Sequence, residues 1–235
     1  MKIAERVKAV EWEQVLQELD AQGNAKINQV LTVDECGELS SLYQTDDNFR
    51  STVVMQRHGF GRGEYRYFKY PLPGIVARLR TSVYPLLVPL ANRWNEAMGI
   101  PVRYPEEHKD YIESCHQAGQ DRPTPLLLRY GTDDYNCLHQ DLYGEQVFPL
   151  QLTVLLSDPD KDFTGGEFVM TEQRPRMQSR PIVVSLRQGD AVLFAVRNRP
   201  VQGSKSVYRV NMRHGVSRIG SGQRHALGII FHDAK

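Results

Sequence analysis

The distribution of apolar and polar positions divides the chain in two. Over the first hundred residues the spacing is helical: Val7, Val10, Val15, Leu16 and Leu19 recur at helix-like intervals, and Gly23 supplies a stop. Thr32, with Glu35 three residues on, forms a capping-box pattern that leads into Cys36, Leu39 and Leu42. A third helix is predicted after Pro73, carrying Ile75, Val76 and Leu79, and Pro85 and Pro89 are expected to kink or divide it before Trp94 and Met98. Pro101 to Arg122 is polar and reads either as another helix or as an exposed connection. From Pro125 the pattern changes to short β runs: LLLRY (126–130), FPLQLTVLL (148–156), GEFVM (166–170), PIVVSL (181–186), DAVLF (190–194), VYRVNMRHGV (207–216) and HALGIIF (225–231). Gly, Pro, Asp and Asn clusters separate them, which predicts a sandwich or barrel. No internal repeat or linker intervenes, so the expected class is α+β, with the helical front packed as a layer on the β core.

Composition narrows the function classes. The chain has 235 residues, 29 Lys+Arg against 28 Asp+Glu and a net charge of +1, which excludes a histone-like polyanion binder and an acidic disordered tail. The three cysteines, Cys36, Cys115 and Cys137, are widely spaced and predict neither a disulfide framework nor a cysteine zinc site. The N-terminal stretch is acidic and lacks an apolar run, and Val83–Leu90 is too short to cross a bilayer, so the expectation is a cytoplasmic protein with no membrane partner. The balanced total conceals an asymmetry. Residues 106–160 hold eleven acids and three bases, whereas residues 172–224 hold eleven bases and two acids. The basic half is either a set of solvated faces or a field that steers an anionic substrate.

The chemistry concentrates in His139-Gln140-Asp141, His214 and Arg224. On an extended segment residues i and i+2 share a face, so His139 and Asp141 can present an imidazole and a carboxylate together. A second histidine from a later strand completes the two-His, one-carboxylate set that holds a ferrous ion and leaves positions open for substrate and oxygen. Alone, His-x-Asp is a weak signal, and a core histidine bonded to a carbonyl is the competing account. Arg224 opens the last apolar strand, where it serves either as a bidentate carboxylate clamp or as a surface ion pair. Cys137 is expected to be buried packing. His58, His108, His116, His225 and His232 are expected to make surface or local hydrogen bonds, with His225 on the opposite face from Arg224.

In the order RYGTDDYNCLHQD, TGGEF, GDAVLF and HGVSRIGSGQRHALGIIF, the segment 124–233 resembles the Fe(II)/2-oxoglutarate-dependent dioxygenases, particularly their prolyl-hydroxylase-like branch. The resemblance implies a double-stranded β-helix, or jelly roll, over residues 124–235, preceded by a helical region at 1–123. It further implies iron at His139, Asp141 and His214, and 2-oxoglutarate at Arg224, with Tyr130 as a further contact. Prolyl hydroxylases often carry lysine where this chain has Arg224, which is more like the nucleic-acid demethylases. The whole chain, including FRSTVVMQRHGFGRGEYRYFKYPLPGIVARLR, is similar to a bacterial 2-oxoglutarate oxygenase family linked to oxidative repair of alkylated DNA. The implied activity consumes O2 and 2-oxoglutarate, hydroxylates a substrate C–H bond and releases succinate and CO2. The expected substrate is alkylated nucleic acid; the alternatives are a protein side chain or small molecule, or an inactive jelly-roll binding module. The segment 58–70 offers Arg62, Tyr65, Arg66 and Tyr67 either as a substrate loop, with arginines and aromatics suited to bases and phosphates, or as a β-hairpin whose aromatics complete the core.

Overall fold

The computed structural model describes residues 2–235. Its front part runs α1 (Ile3–Lys8), α2 (Trp12–Gln22), β1 (Asn24–Ile27), α3 (Val33–Ser41), β2 (Phe49–Val54), β3 (Gly61–Arg62), β4 (Glu64–Phe68), α4 (Gly74–Ala97) and α5 (His108–Gln117). Its back part runs β5 (Leu126–Tyr130), β6 (Tyr135–His139), β7 (Leu150–Leu155), β8 (Phe163–Gly165), β9 (Phe168–Gln173), β10 (Arg180–Val184), β11 (Ala191–Ala195), β12 (Asn198–Gln202), β13 (Val207–Val216), β14 (Ile219–Gly222) and β15 (Arg224–Ile230).

Local signals in the sequence set several boundaries. The Thr32 side chain accepts from Glu35 N while Glu35 reaches back to the cap, a closed capping box worth about 1 kcal/mol. Gly23 ends α2 in the left-handed region at φ 78°, and a Cβ there would sit 2.9 Å from the Arg199 side chain. That close approach lets the buried Arg199 reach both the Asp20 carbonyl and, at 2.6 Å, the Glu172 carboxylate.

Two sheets face each other across the core, as in a jelly roll. A seven-stranded sheet is ordered β1-β11-β7-β15-β5-β4-β2, and a second sheet is ordered β10-β9-β13-β6-β3 with β12 paired to β13. Every pairing between these strands is antiparallel. Along β15 the residues Arg224, Ala226, Gly228 and Ile230 face the cavity between the sheets. His225, Leu227 and Ile229 alternate onto the other face, with His225 edge-on to Tyr43. Because α4 lies against that face, β15 is covered on both sides and reads as a continuous buried run. Buried Leu79, Val83 and Leu87 on α4 each contribute about 1.5–3 kcal/mol of apolar burial.

The structure corrects the helical reading of the first hundred residues. Helices do form a layer on the large sheet, but β1 extends one edge of that sheet and β2 and β4 extend the other. Asp190 ties β1 in place: its carboxylate accepts from Gln29 N at 3.0 Å and Arg187 N at 2.9 Å and pairs with Lys26 at 2.8 Å. Segment 58–70 enters β3 and β4 rather than forming a long loop. Pro85 and Pro89 do not divide α4, which runs unbroken for 24 residues. Four residues apart, they share a face with exposed Thr81, so the carbonyls they deprive of an N–H partner lie toward water. Among the described residues no helix is long and apolar enough to cross a membrane.

Candidate active site

The triad is assembled by strand register. His214 on β13 pairs directly opposite His139 on β6, which brings the two rings to 4.2 Å between centroids on one face. Asp141 follows two residues after the end of β6 and turns its carboxylate between them. Its Oδ1 lies 3.4 Å from His139 Nε2 and its Oδ2 lies 3.4 Å from His214 Nε2. One ligand atom from each residue lies within 4.8 Å of the others, the one such group of His, Cys, Asp and Glu among the described residues.

Neighbouring groups fix the orientation of each member. His139 Nδ1–H donates to the Cys137 carbonyl at 2.8 Å, which leaves Nε2 free to accept. The Tyr143 hydroxyl donates to Asp141 Oδ1 at 2.9 Å. Gln140, between the two ligands, donates to the Met212 carbonyl at 2.7 Å and to Asn211 Oδ1 at 3.2 Å, pinning the segment to β13. Phe194 packs on the His214 ring at 4.5 Å between centroids. His214 is only 7% exposed, and its Nδ1 has no partner.

Charge in the site follows from this packing. Burial alone would raise Asp141, but the two histidines outweigh it and hold the carboxyl well below the usual range. Burial would lower His139, yet Asp141 and the Cys137 carbonyl raise it; His214, buried beside the charge of His139, is lowered. An ionised carboxylate and two imidazoles form a donor set that suits a ferrous ion.

Arg224 stands in the same cavity, which measures about 230 Å³. It is 1% exposed, and its Nε and Nη1 have no hydrogen-bond partner. Tyr130 faces it in register, and the guanidinium lies 5.6 Å from the Tyr130 ring and 5.9 Å from that of Phe163. Gly166 makes room for it: at φ 65°, a Cβ there would fall 2.3 Å from Ile219 and 3.1 Å from Arg224 Cδ. The cavity wall beside these groups is largely apolar, formed by Leu126, Leu128, Ala226 and Ile230.

The segment 58–70 divides its residues between faces. Tyr65 lines the cavity, as does Phe60 at its rim. Tyr67 packs edge-on to Tyr65 and Tyr143, one layer back. Arg66 turns to the opposite face, bonding Asp46 at 2.8 Å and lying over the Tyr43 ring. Arg62 is exposed and pairs with Asp134 at 3.2 Å. Cys137, expected to be buried, is exposed and free, because β6 is close to the edge of its sheet and offers one face to water. The sequence reading did not single out Phe60, Asn136, Tyr143, Gln151 or Thr153, all of which line the cavity. For Gln151 and Thr153 a signal existed: they are polar residues at alternate positions within an otherwise apolar strand.

A jelly-roll fold that gathers two histidines and a carboxylate at one cavity suits an oxygenase. A family model described as "Oxygenase, catalysing oxidative methylation of damaged DNA" matches residues 63–234, and the chain belongs to that family. It is 50% identical over 167 residues, 71% of its own length and 72% of the relative's, to "Uncharacterized protein MT2286" and equally to "Uncharacterized protein Rv2227", both of Mycobacterium tuberculosis. Among solved structures, the fold matches a Trichoplax adhaerens prolyl hydroxylase in complex with a hypoxia-inducible-factor peptide, with a TM-score of 0.59 and 14% identity over 95% of this chain and 89% of that one. It also matches a 2OG-Fe(II) oxygenase family oxidoreductase from Burkholderia pseudomallei, with a TM-score of 0.55 and 14% identity over 96% and 93%.

Proposed function

We propose that His139, Asp141 and His214 hold Fe(II), that Arg224 holds the distal carboxylate of 2-oxoglutarate, and that the substrate is an alkylated base of DNA. The observation that carries the co-substrate assignment is the buried, unpartnered guanidinium of Arg224 in the same cavity as the triad. A buried cation with free donors and no carboxylate partner suits a bidentate anion. The substrate class rests on the family description.

When bound, the iron and 2-oxoglutarate supply the O2-dependent oxidation of a C–H bond, with release of succinate and CO2. The chain's own residues orient and exclude. The Cys137 carbonyl fixes the His139 tautomer, and Tyr143 holds the Asp141 carboxylate between its two histidines. Arg224 neutralises the buried carboxylate, with Tyr130 and Phe163 against its faces. Leu126, Leu128 and Ala226 keep water from the reacting carbon. On a methylated base the carbon within reach of such chemistry is the N-methyl group. Its hydroxylation gives an N-hydroxymethyl group that leaves as formaldehyde and restores the N–H, so the methyl group is removed rather than added.

The test is an aerobic assay with Fe(II), 2-oxoglutarate and a single-stranded oligonucleotide carrying one N-methyladenine. Formaldehyde and succinate are expected in equal amounts, with no formaldehyde from the unmethylated strand. Succinate release that the oligonucleotide leaves unchanged, but that a proline-containing peptide stimulates, would replace the DNA reading with that of a protein hydroxylase.

A further inference from the structure

One polar group in the cavity wall is used neither by the triad nor by Arg224. Gln151, on β7, is 3% exposed, lines the cavity, and its Nε2 finds no hydrogen-bond partner. A buried primary amide left without a partner is unfavourable in the free protein and becomes favourable only when a ligand completes it.

The register shows which ligand. Gln151 pairs with Ile230 on one side and Phe194 on the other. Arg224 and Ile230 lie on the same face of β15, six residues apart, so the backbones at Arg224 and Gln151 stand roughly 20 Å apart along the strands, a span their two side chains shorten from both ends. Phe194 touches the His214 ring, which puts Gln151 beside the triad at the end away from Arg224. Arg224 already answers the distal carboxylate of 2-oxoglutarate, whereas the substrate must bring its C–H bond to the triad, where Gln151 stands. The amide is therefore placed to meet the second molecule that enters the cavity.

We infer that Gln151 is a substrate-recognition residue whose carboxamide reads the hydrogen-bonding edge of the alkylated base. This rests on the damaged-DNA reading above. A primary amide offers a donor and an acceptor side by side, the complement of a nucleobase edge. Tyr65, Tyr143 and Phe60 line the same cavity and supply faces on which a flat ring drawn out of its strand can stack.

The experiment compares wild type with Gln151→Leu and Gln151→Glu, all anaerobic and loaded with Fe(II) and 2-oxoglutarate. Anisotropy measures binding of a single-stranded oligonucleotide with or without one N-methyladenine. Gln151→Leu is expected to lose about tenfold in affinity for the methylated strand. Its affinity for 2-oxoglutarate by calorimetry should change by less than twofold. The ligand-free Gln151→Leu protein should melt about 2–4 °C higher, because an orphaned polar group has been removed; a merely structural glutamine would lower the melting point. Gln151→Glu, which keeps the shape and loses the donor, should bind the methylated strand at least as poorly as Gln151→Leu. Unchanged discrimination in both variants, while wild type prefers the methylated strand, would overturn the role of Gln151 and leave the DNA reading standing. Lost 2-oxoglutarate affinity would assign Gln151 to the co-substrate instead. A wild type that does not distinguish the strands would overturn the DNA reading and the base assignment with it.

Discussion

Arg80 and Arg224 are both buried arginines, 2% and 1% exposed, and they are opposites. Arg80 on α4 is fully used. Its Nε donates to the Ile230 carbonyl at 2.9 Å, and its Nη2 donates to the His232 carbonyl at 3.0 Å and to Asp233 at 2.7 Å. Nη1 donates to the Tyr70 hydroxyl at 3.1 Å, and Tyr70 and His116 complete the Asp233 carboxylate at 2.8 and 2.9 Å. This network latches the end of the chain to α4 and α5. Arg224 has aromatic faces around it but no partner for Nε or Nη1. A satisfied buried charge is part of the scaffold, whereas an unsatisfied one beside three converging ligands is a place for an anion. Burial alone does not separate the two; the partner atoms do.

The assignment of Arg224 depends first on the triad. Asp141→Ala and His214→Ala should each abolish succinate release and weaken Fe(II) binding by more than the roughly 100-fold that loss of an outer partner causes, read by calorimetry. Full turnover in Asp141→Ala would refute the triad.

Next in size is the contrast itself. Arg80→Leu strands the Asp233 carboxylate and should cost about 3–5 kcal/mol in denaturant unfolding. Arg224→Leu should leave stability within about 1 kcal/mol of wild type, because it removes unpartnered donors. Equal losses in the two variants would erase the distinction. Gly166→Ala puts a Cβ into Ile219 and Arg224 at a positive φ, with an expected cost of about 1–3 kcal/mol and weaker 2-oxoglutarate binding.

The smallest effect per group is a pH dependence. Burial, and then the charge of Arg80, hold His108 down to about 4 and His232 down to about 3. Both stay neutral in the fold, while the unfolded chain takes up their protons below about pH 6.5. Stability should therefore fall on acidification from about 6.5 toward 4, by up to about 1.4 kcal/mol per pH unit for each histidine. In Arg80→Leu the fall should still begin near 6.5 but level off at higher pH, because the two histidines lose a charge that holds them down. A flat stability profile across this window would contradict the buried, neutral state.

Much of the β core was legible because its signals are local. LLLRY coincides with β5 and VYRVNMRHGV with β13, and the alternation that sets His139 and Asp141 two residues apart is visible in the sequence. The Thr32 capping box and the Gly23 stop were likewise local. The edge strands were not legible. β1 is four residues long and is held by Asp190, more than 160 residues away, and β4 becomes a strand because β2 and β5 flank it. The prolines of α4 misled because propensity ignores which side of a helix faces water. Tyr143 lies in no regular element, and only the folded chain carries its hydroxyl to Asp141.

The most direct measurement is anaerobic calorimetry of 2-oxoglutarate into Fe(II)-loaded wild type and Arg224→Leu. One site per chain is expected in wild type, and at least about a 30-fold loss of affinity in the variant, the consequence of removing one partner of a buried charge pair. Equal affinity in the two proteins would contradict the central claim and leave the unpartnered arginine without a ligand.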